Sequence, residues 1–141
     1  MKISKGILWV TGLILVVYAI GVFVNPAQTI GASGVQLPTP DAVADGRATY
    51  GGFVGGVGLF LIFSAINSTR VGAGLWLMVF GLGGFAVGRT LAVLIDSAAA
   101  TSQTLRLVVF EAVLTALGVI GLWLLPKAQA PTTSNRSAGA I

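Results

Sequence analysis

Few residues in this chain have types that could do chemistry. Arg47, Arg89 and Glu111 lie within or at the ends of long apolar runs; Tyr50 follows Arg47 closely, and Asp45 and Asp96 flank the same runs. An ionisable side chain among lipid tails costs about 2.5–3.5 kcal/mol on insertion scales, so such groups face the protein interior and pair. At about 1.5 Å of rise per helical residue, Arg89 stands roughly 27 Å from Val71, Glu111 roughly 22 Å from Pro126 and Arg47 roughly 33 Å from Thr69. All three therefore reach a similar level, and a Glu111–Arg89 contact is the simplest solution, with Arg47 and Tyr50 next in reach. As a structural staple, the cluster would hold the second, third and fourth apolar runs together. As a site, it would be a polar pocket in which a carboxylate and two guanidinium groups meet a lipid headgroup or small anionic ligand. Asp45, Asp96 and Arg106 rim the same end and fit either role, and the arginines could also snorkel to the surface.

Composition removes most other chemistry. The chain has 141 residues, 55% hydrophobic and 9% charged, with a mean hydropathy of +0.95. Soluble domains carry about 25% charged residues, so this surface must face lipid. With no His and no Cys, zinc sites, iron–sulfur clusters, His-ligated haem, thiol nucleophiles and Ser-His-Asp triads are excluded. Neither a metal nor a cofactor is expected. The net charge of +4 does not point to nucleic acid, because the basic residues are scattered singly. Topogenic charge accounts for them better. Nor is there a broken-helix pair or gating charge ladder to suggest a transporter or channel.

Positioning the candidate residues requires four membrane spans, at about 7–24, 47–69, 71–95 and 105–125, in one domain covering residues 1–126. About 20 apolar residues cross the hydrocarbon core as a helix, and each run meets that length. The first is longer than a signal-peptide core and is followed by Asn25-Pro26-Ala27-Gln28, which is no A-x-A site; it is expected to remain as a helix. Pro26 ends it and opens a long loop. Thr39-Pro40-Asp41 then reads as a helix start, with a Thr cap, Pro at the first helical position and an acid in the first turn. Residues 127–141 form a polar tail that reads as disordered.

Loop charge sets the expected orientation. Lys2, Lys5, Arg70, Lys127 and Arg136 lie on one side with no acid, whereas Asp41, Asp45 and Asp96 lie on the other. The positive-inside rule puts both termini in the cytoplasm. Trp9, Trp76 and Trp123 fall near the same ends, as an interfacial aromatic belt would.

The chain has 20 Gly, about twice the average usage of about 7%. Gly51/Gly55, Gly52/Gly56 and Gly84/Gly88 each have the G-x-x-x-G spacing that lets helix backbones approach closely. These pairs are expected to pack spans two and three together. Alternatively, they could form a homo-oligomer face or a seat for another membrane subunit.

The run Arg47-Ala48-Thr49-Tyr50-Gly51-Gly52, the Gly88-Arg89 pair followed by Asp96, and Glu111 in the last span resemble an uncharacterised family of small bacterial four-helix membrane proteins, known only as a domain of unknown function. The resemblance extends from about Ile7 to Leu125, with R-A-x-Y-G-G as its most specific element. It implies an all-α, integral membrane four-helix bundle in the bacterial inner membrane, and it implies no activity. The residues themselves point first to a non-enzymatic membrane protein, an accessory or structural subunit packing against a larger complex in the lipid bilayer. An outer-leaflet lipid or small-amphiphile binder comes second and a lipid-modifying enzyme third, since no nucleophile accompanies the acids.

Overall fold

The computed structural model describes residues 1–126, which are helical apart from short connections; the tail at 127–141, with Lys127 and Arg136, lies outside the described residues. The elements are α1 (Lys2–Val24), α2 (Pro26–Gly31), α3 (Pro40–Gly46), a π-helical turn (Arg47–Phe53), α4 (Val54–Ile66), α5 (Val71–Ile95), a 3-10 turn (Ser97–Ala99) and α6 (Ser102–Trp123). α3, the π turn and α4 run as one rod over Pro40–Ile66, so four helices are each long and apolar enough to cross a membrane.

The helices outrun the apolar stretches that predict them. The second rod begins at Pro40, at the start that Thr39-Pro40-Asp41 signals, because the Thr39 hydroxyl accepts the Ala42 N–H at 3.1 Å and Pro40 occupies the first helical position. Likewise α6 begins at Ser102, where the Thr101 hydroxyl accepts the Thr104 N–H at 3.1 Å. The long loop after α1 holds a helix that the apolar pattern does not signal. Asn25 caps it by accepting the Gln28 N–H at 3.2 Å, and Pro26 and Ile30 are buried beneath it. Gly34, at φ +82°, is the residue that turns the chain away afterwards.

The four rods pack as two pairs. α1 lies along α4 and the π turn, and α5 lies along α6. Glycine makes the closest crossings. A methyl group on Gly58 would stand 2.8 Å from the Gly12 carbonyl oxygen, and one on Gly12 would stand 2.8 Å from the Gly58 carbonyl oxygen. Here two backbones touch, which only the absence of Cβ permits. The pairs join at the end that carries the N-terminus and Trp123. There Gly74 of α5 fits against Ser64 and Leu8, Gly121 of α6 fits over Leu75, and the Ser4 hydroxyl donates to the Gly121 carbonyl at 3.0 Å. The core of Leu8, Leu61, Leu75 and Met78 fills this half.

The expected packing of spans two and three through the G-x-x-x-G pairs is corrected by this arrangement. Gly51 and Gly55 face α1, against Phe23 and Ala19 respectively, while Gly56, Gly84 and Gly88 have open space where a side chain would be. Gly52 meets only a backbone oxygen of its own turn. G-x-x-x-G spacing marks a face that can approach a neighbour, and topology decides which faces do.

These environments separate the glycines by experiment. Gly58→Ala should destabilise the protein by about 1–3 kcal/mol, the usual cost of forcing atoms into a full contact. Gly56→Ala should instead be neutral or stabilise by up to about 1 kcal/mol through helix propensity. Thermal unfolding in one detergent compares the two.

Candidate functional site

Away from the joined end, the two helix pairs part. Beyond Leu82 no residue of α5 is buried, and the π turn packs on α1, α3 and α4. A cavity of about 220 Å³ lies between the pairs, walled by Ile14, Leu15 and Tyr18 of α1, Tyr50 and Val54 of the second rod, Leu82, Phe85 and Arg89 of α5, and Leu107, Phe110 and Glu111 of α6. Ser33, just past α2, lines it from the loop end. The Gln103 side chain donates to the Ala32 carbonyl beside it and ties α6 to that segment.

Within this apolar enclosure sits an ion pair, the one found among the described residues. Arg89 Nε donates to Glu111 Oε1 at 2.9 Å, with the two side chains 29% and 10% exposed. The other carboxylate oxygen, Oε2, is buried and has no hydrogen-bond partner. A buried acceptor left unmatched costs about 1–3 kcal/mol, and more when charged. The guanidinium has five N–H donors, and among the described residues only Nε is used. The site therefore has unmet donors with an unmet acceptor buried behind them, in a half-open cleft walled mostly by hydrocarbon.

The backbone that presents Tyr50 is unusual. Arg47–Phe53, which is the R-A-T-Y-G-G run plus one residue, forms the π turn. Such insertions into α-helices are rare and frequent at functional sites. Here the turn lets Gly51 press on Phe23 of α1 while its neighbour Tyr50 lines the cavity. Gly51 and Gly52 have low helix propensity, which lessens the preference for a regular α turn there.

Of the residues singled out from the sequence, Tyr50, Arg89 and Glu111 meet at the cavity. Arg47 is exposed and lines no part of it, so the pocket holds one guanidinium rather than two. Asp45 is exposed on α3, and Asp96 is exposed and spent on its own turn, accepting the Ala98 N–H at 2.9 Å. Arg106 likewise bonds within its helix, to the Ser102 carbonyl at 3.1 Å. These charges lie at rod ends, where water is near and no partner is required. As a staple, the ion pair joins spans three and four and leaves span two free.

Tyr18 and Ser33 are cavity residues that sequence reasoning passes over. Tyr18 carries a signal, a phenol among Leu, Val and Ile whose hydroxyl needs a partner when buried. Ser33 carries none, because it reaches the cavity only through the fold of the α2 segment.

Fold and cavity together define a bundle of four membrane-spanning helices with an Arg–Glu pair between α5 and α6, beside the cavity that separates this helix pair from the other. The family described as Domain of unknown function (DUF4345) matches residues 3–125, and the chain belongs to that family. No curated protein and no solved structure matches it.

The ion pair makes its own prediction. Arg89→Ala should destabilise by about 3 kcal/mol, near the lower end for a broken buried pair because Arg89 is partly exposed. Glu111→Gln should lose less, since the amide oxygen can still accept from Arg89. The double variant Arg89→Met/Glu111→Leu should recover most of the loss. Thermal melts of the four proteins check the ordering, and strictly additive losses would contradict it.

Proposed function

We propose that this chain is a non-enzymatic, multi-pass protein of the bacterial inner membrane that binds a small amphiphile in the cavity between its two helix pairs. The observation that carries this reading is Glu111, buried in an apolar enclosure with one carboxylate oxygen on Arg89 and the other unmatched. An apolar cavity of about 150 Å³ takes up benzene, so about 220 Å³ between the pairs suffices for a compact headgroup. A carboxylate already held by arginine suits orientation of a ligand better than attack upon it. Lys2, Lys5 and Arg70 at one end of the bundle, against Asp41, Asp45 and Asp96 at the other, support cytoplasmic termini. The cavity then opens toward the outer leaflet.

A second reading, an accessory subunit packed against other membrane chains or a homo-oligomer, is favoured by the open face at Gly52 and Gly56, which no other helix of the chain covers.

Native mass spectrometry of the protein, extracted gently from its own membrane, tests both. One retained amphiphile per chain is expected. Leu107→Trp, which fills the cavity, should abolish retention while circular dichroism shows the helices intact. A wild-type chain free of adducts, or an adduct that survives Leu107→Trp, would overturn the binding role. A defined larger assembly would support the subunit reading.

A further inference from the structure

We infer that the ligand has an uncharged, hydroxyl-bearing head and a single hydrocarbon chain that leaves the cavity along Gly81, Gly84 and Gly88 of α5. This rests on the binding role proposed above and specifies its chemistry. The head follows from charge. Arg89 and Glu111 neutralise one another at 2.9 Å, so the site as a whole has no charge to offer. An anionic head on the unused Arg89 donors would also lie against the Glu111 carboxylate, and an ammonium head on that carboxylate would also lie against Arg89. Either would place like charges together in a low dielectric. A hydroxyl both donates and accepts. It can give its proton to the Glu111 carboxylate, which lines the cavity and has more lone pairs than Arg89 Nε uses. It can also accept from the unused guanidinium N–H groups. A hydrogen bond to a charged group is the stronger kind, and one hydroxyl supplies two.

The chain follows from the shape next door. A shallow groove of about 460 Å³ runs beside the cavity, formed by Gly81, Gly84, Gly88 and Ala92. Tyr50, Phe85 and Arg89 wall both spaces, so the two adjoin at those side chains. A methyl group on Gly81, Gly84 or Gly88 would meet nothing within 4 Å. The three glycines form one row about 10 Å long at helical rise, a single track on one face of α5 along which one hydrocarbon chain can lie. An amphiphile with its head on Glu111 and Arg89 has this row as its adjoining path into the lipid. An unbranched alcohol or a monoacylglycerol has the required form.

The test offers oleyl alcohol, oleate, oleylamine and octanol to the full-length protein in detergent, with binding read by native mass spectrometry. Oleyl alcohol should be retained at one per chain, roughly tenfold more tightly than either charged analogue, and more tightly than octanol. Gly84→Leu puts a side chain into the groove from a position where an added Cβ meets nothing within 4 Å, and should reduce oleyl alcohol to the octanol level. Oleate or oleylamine binding as tightly as the alcohol would overturn the uncharged head and leave the binding role standing. Unchanged oleyl alcohol binding by Gly84→Leu would overturn the groove as the path of the chain. If none of the four binds while the gently extracted protein still carries its own amphiphile, the ligand class is overturned alone; if that adduct is missing too, the binding role falls with it.

Discussion

Helices in a bilayer gain little by hiding apolar surface from one another, because lipid tails are as apolar as leucine. What holds them is close contact at small residues, and this bundle joins its two helix pairs by such contact in one half only. Gly12 and Gly58 bring α1 and α4 together, Gly74 seats α5 on Ser64, and Gly118 and Gly121 seat α6 against Val79 and Leu75. The rest of the architecture follows from that distribution. At the joined end, small residues face neighbouring helices. Toward the other end, the residues between the pairs are Tyr18, Tyr50, Phe85 and Phe110, whose rings keep the backbones apart. A cavity is the consequence of gathering close-packing residues in one half and bulky ones in the other.

Against this frame, the π turn at Arg47–Phe53 has a physical role. The second rod must press its glycines on α1 and still show a polar side chain to the space between the pairs. In a regular helix the direction of each side chain is fixed by those before it, at 3.6 residues per turn. An inserted residue resets that phase once, so α3 and α4 need not present the same faces. Gly51 then meets Phe23 and Tyr50 lines the cavity. The turn is cheap to form here because Gly51 and Gly52 have little preference for the α turn they leave.

Much of this was legible in the sequence, and the boundary of legibility has physical causes. Span number follows from apolar length, and the cost of charge in lipid makes Arg89 and Glu111 conspicuous. Both properties belong to residues read one at a time. What the sequence did not convey depends on pairing between distant segments. G-x-x-x-G spacing identified Gly84 and Gly88, which are open, and passed over Gly12 and Gly74, where neighbouring atoms leave no room for a side chain. Half of each such contact lies on another helix. Arg47 was grouped with Glu111 by axial height, yet height leaves the azimuth around the rod undetermined, and the π turn alters that azimuth. Ser33 reaches the cavity through a short helix started by Asn25 and Pro26, a local signal too brief to register as an apolar period.

The placement of the ion pair bears on whether stability or binding explains it. A charge pair meant to hold the bundle shut would bridge its weakest junction, which is the open half between the two helix pairs. Arg89 and Glu111 instead lie on α5 and α6, helices already packed along their length. Across the open half, the Gln103 bond to the Ala32 carbonyl is a single tie at the rim. The pair thus adds least to cohesion where cohesion is most needed, and it leaves Oε2 without a partner. Replacing such a pair with apolar groups of similar shape is commonly neutral or stabilising, so stability alone gives little reason for it. A molecule placed between the Glu111 carboxylate on one side and Tyr18 and Tyr50 on the other would bridge the two halves. On the proposed binding role, the polar pair is costly without a ligand and useful with one.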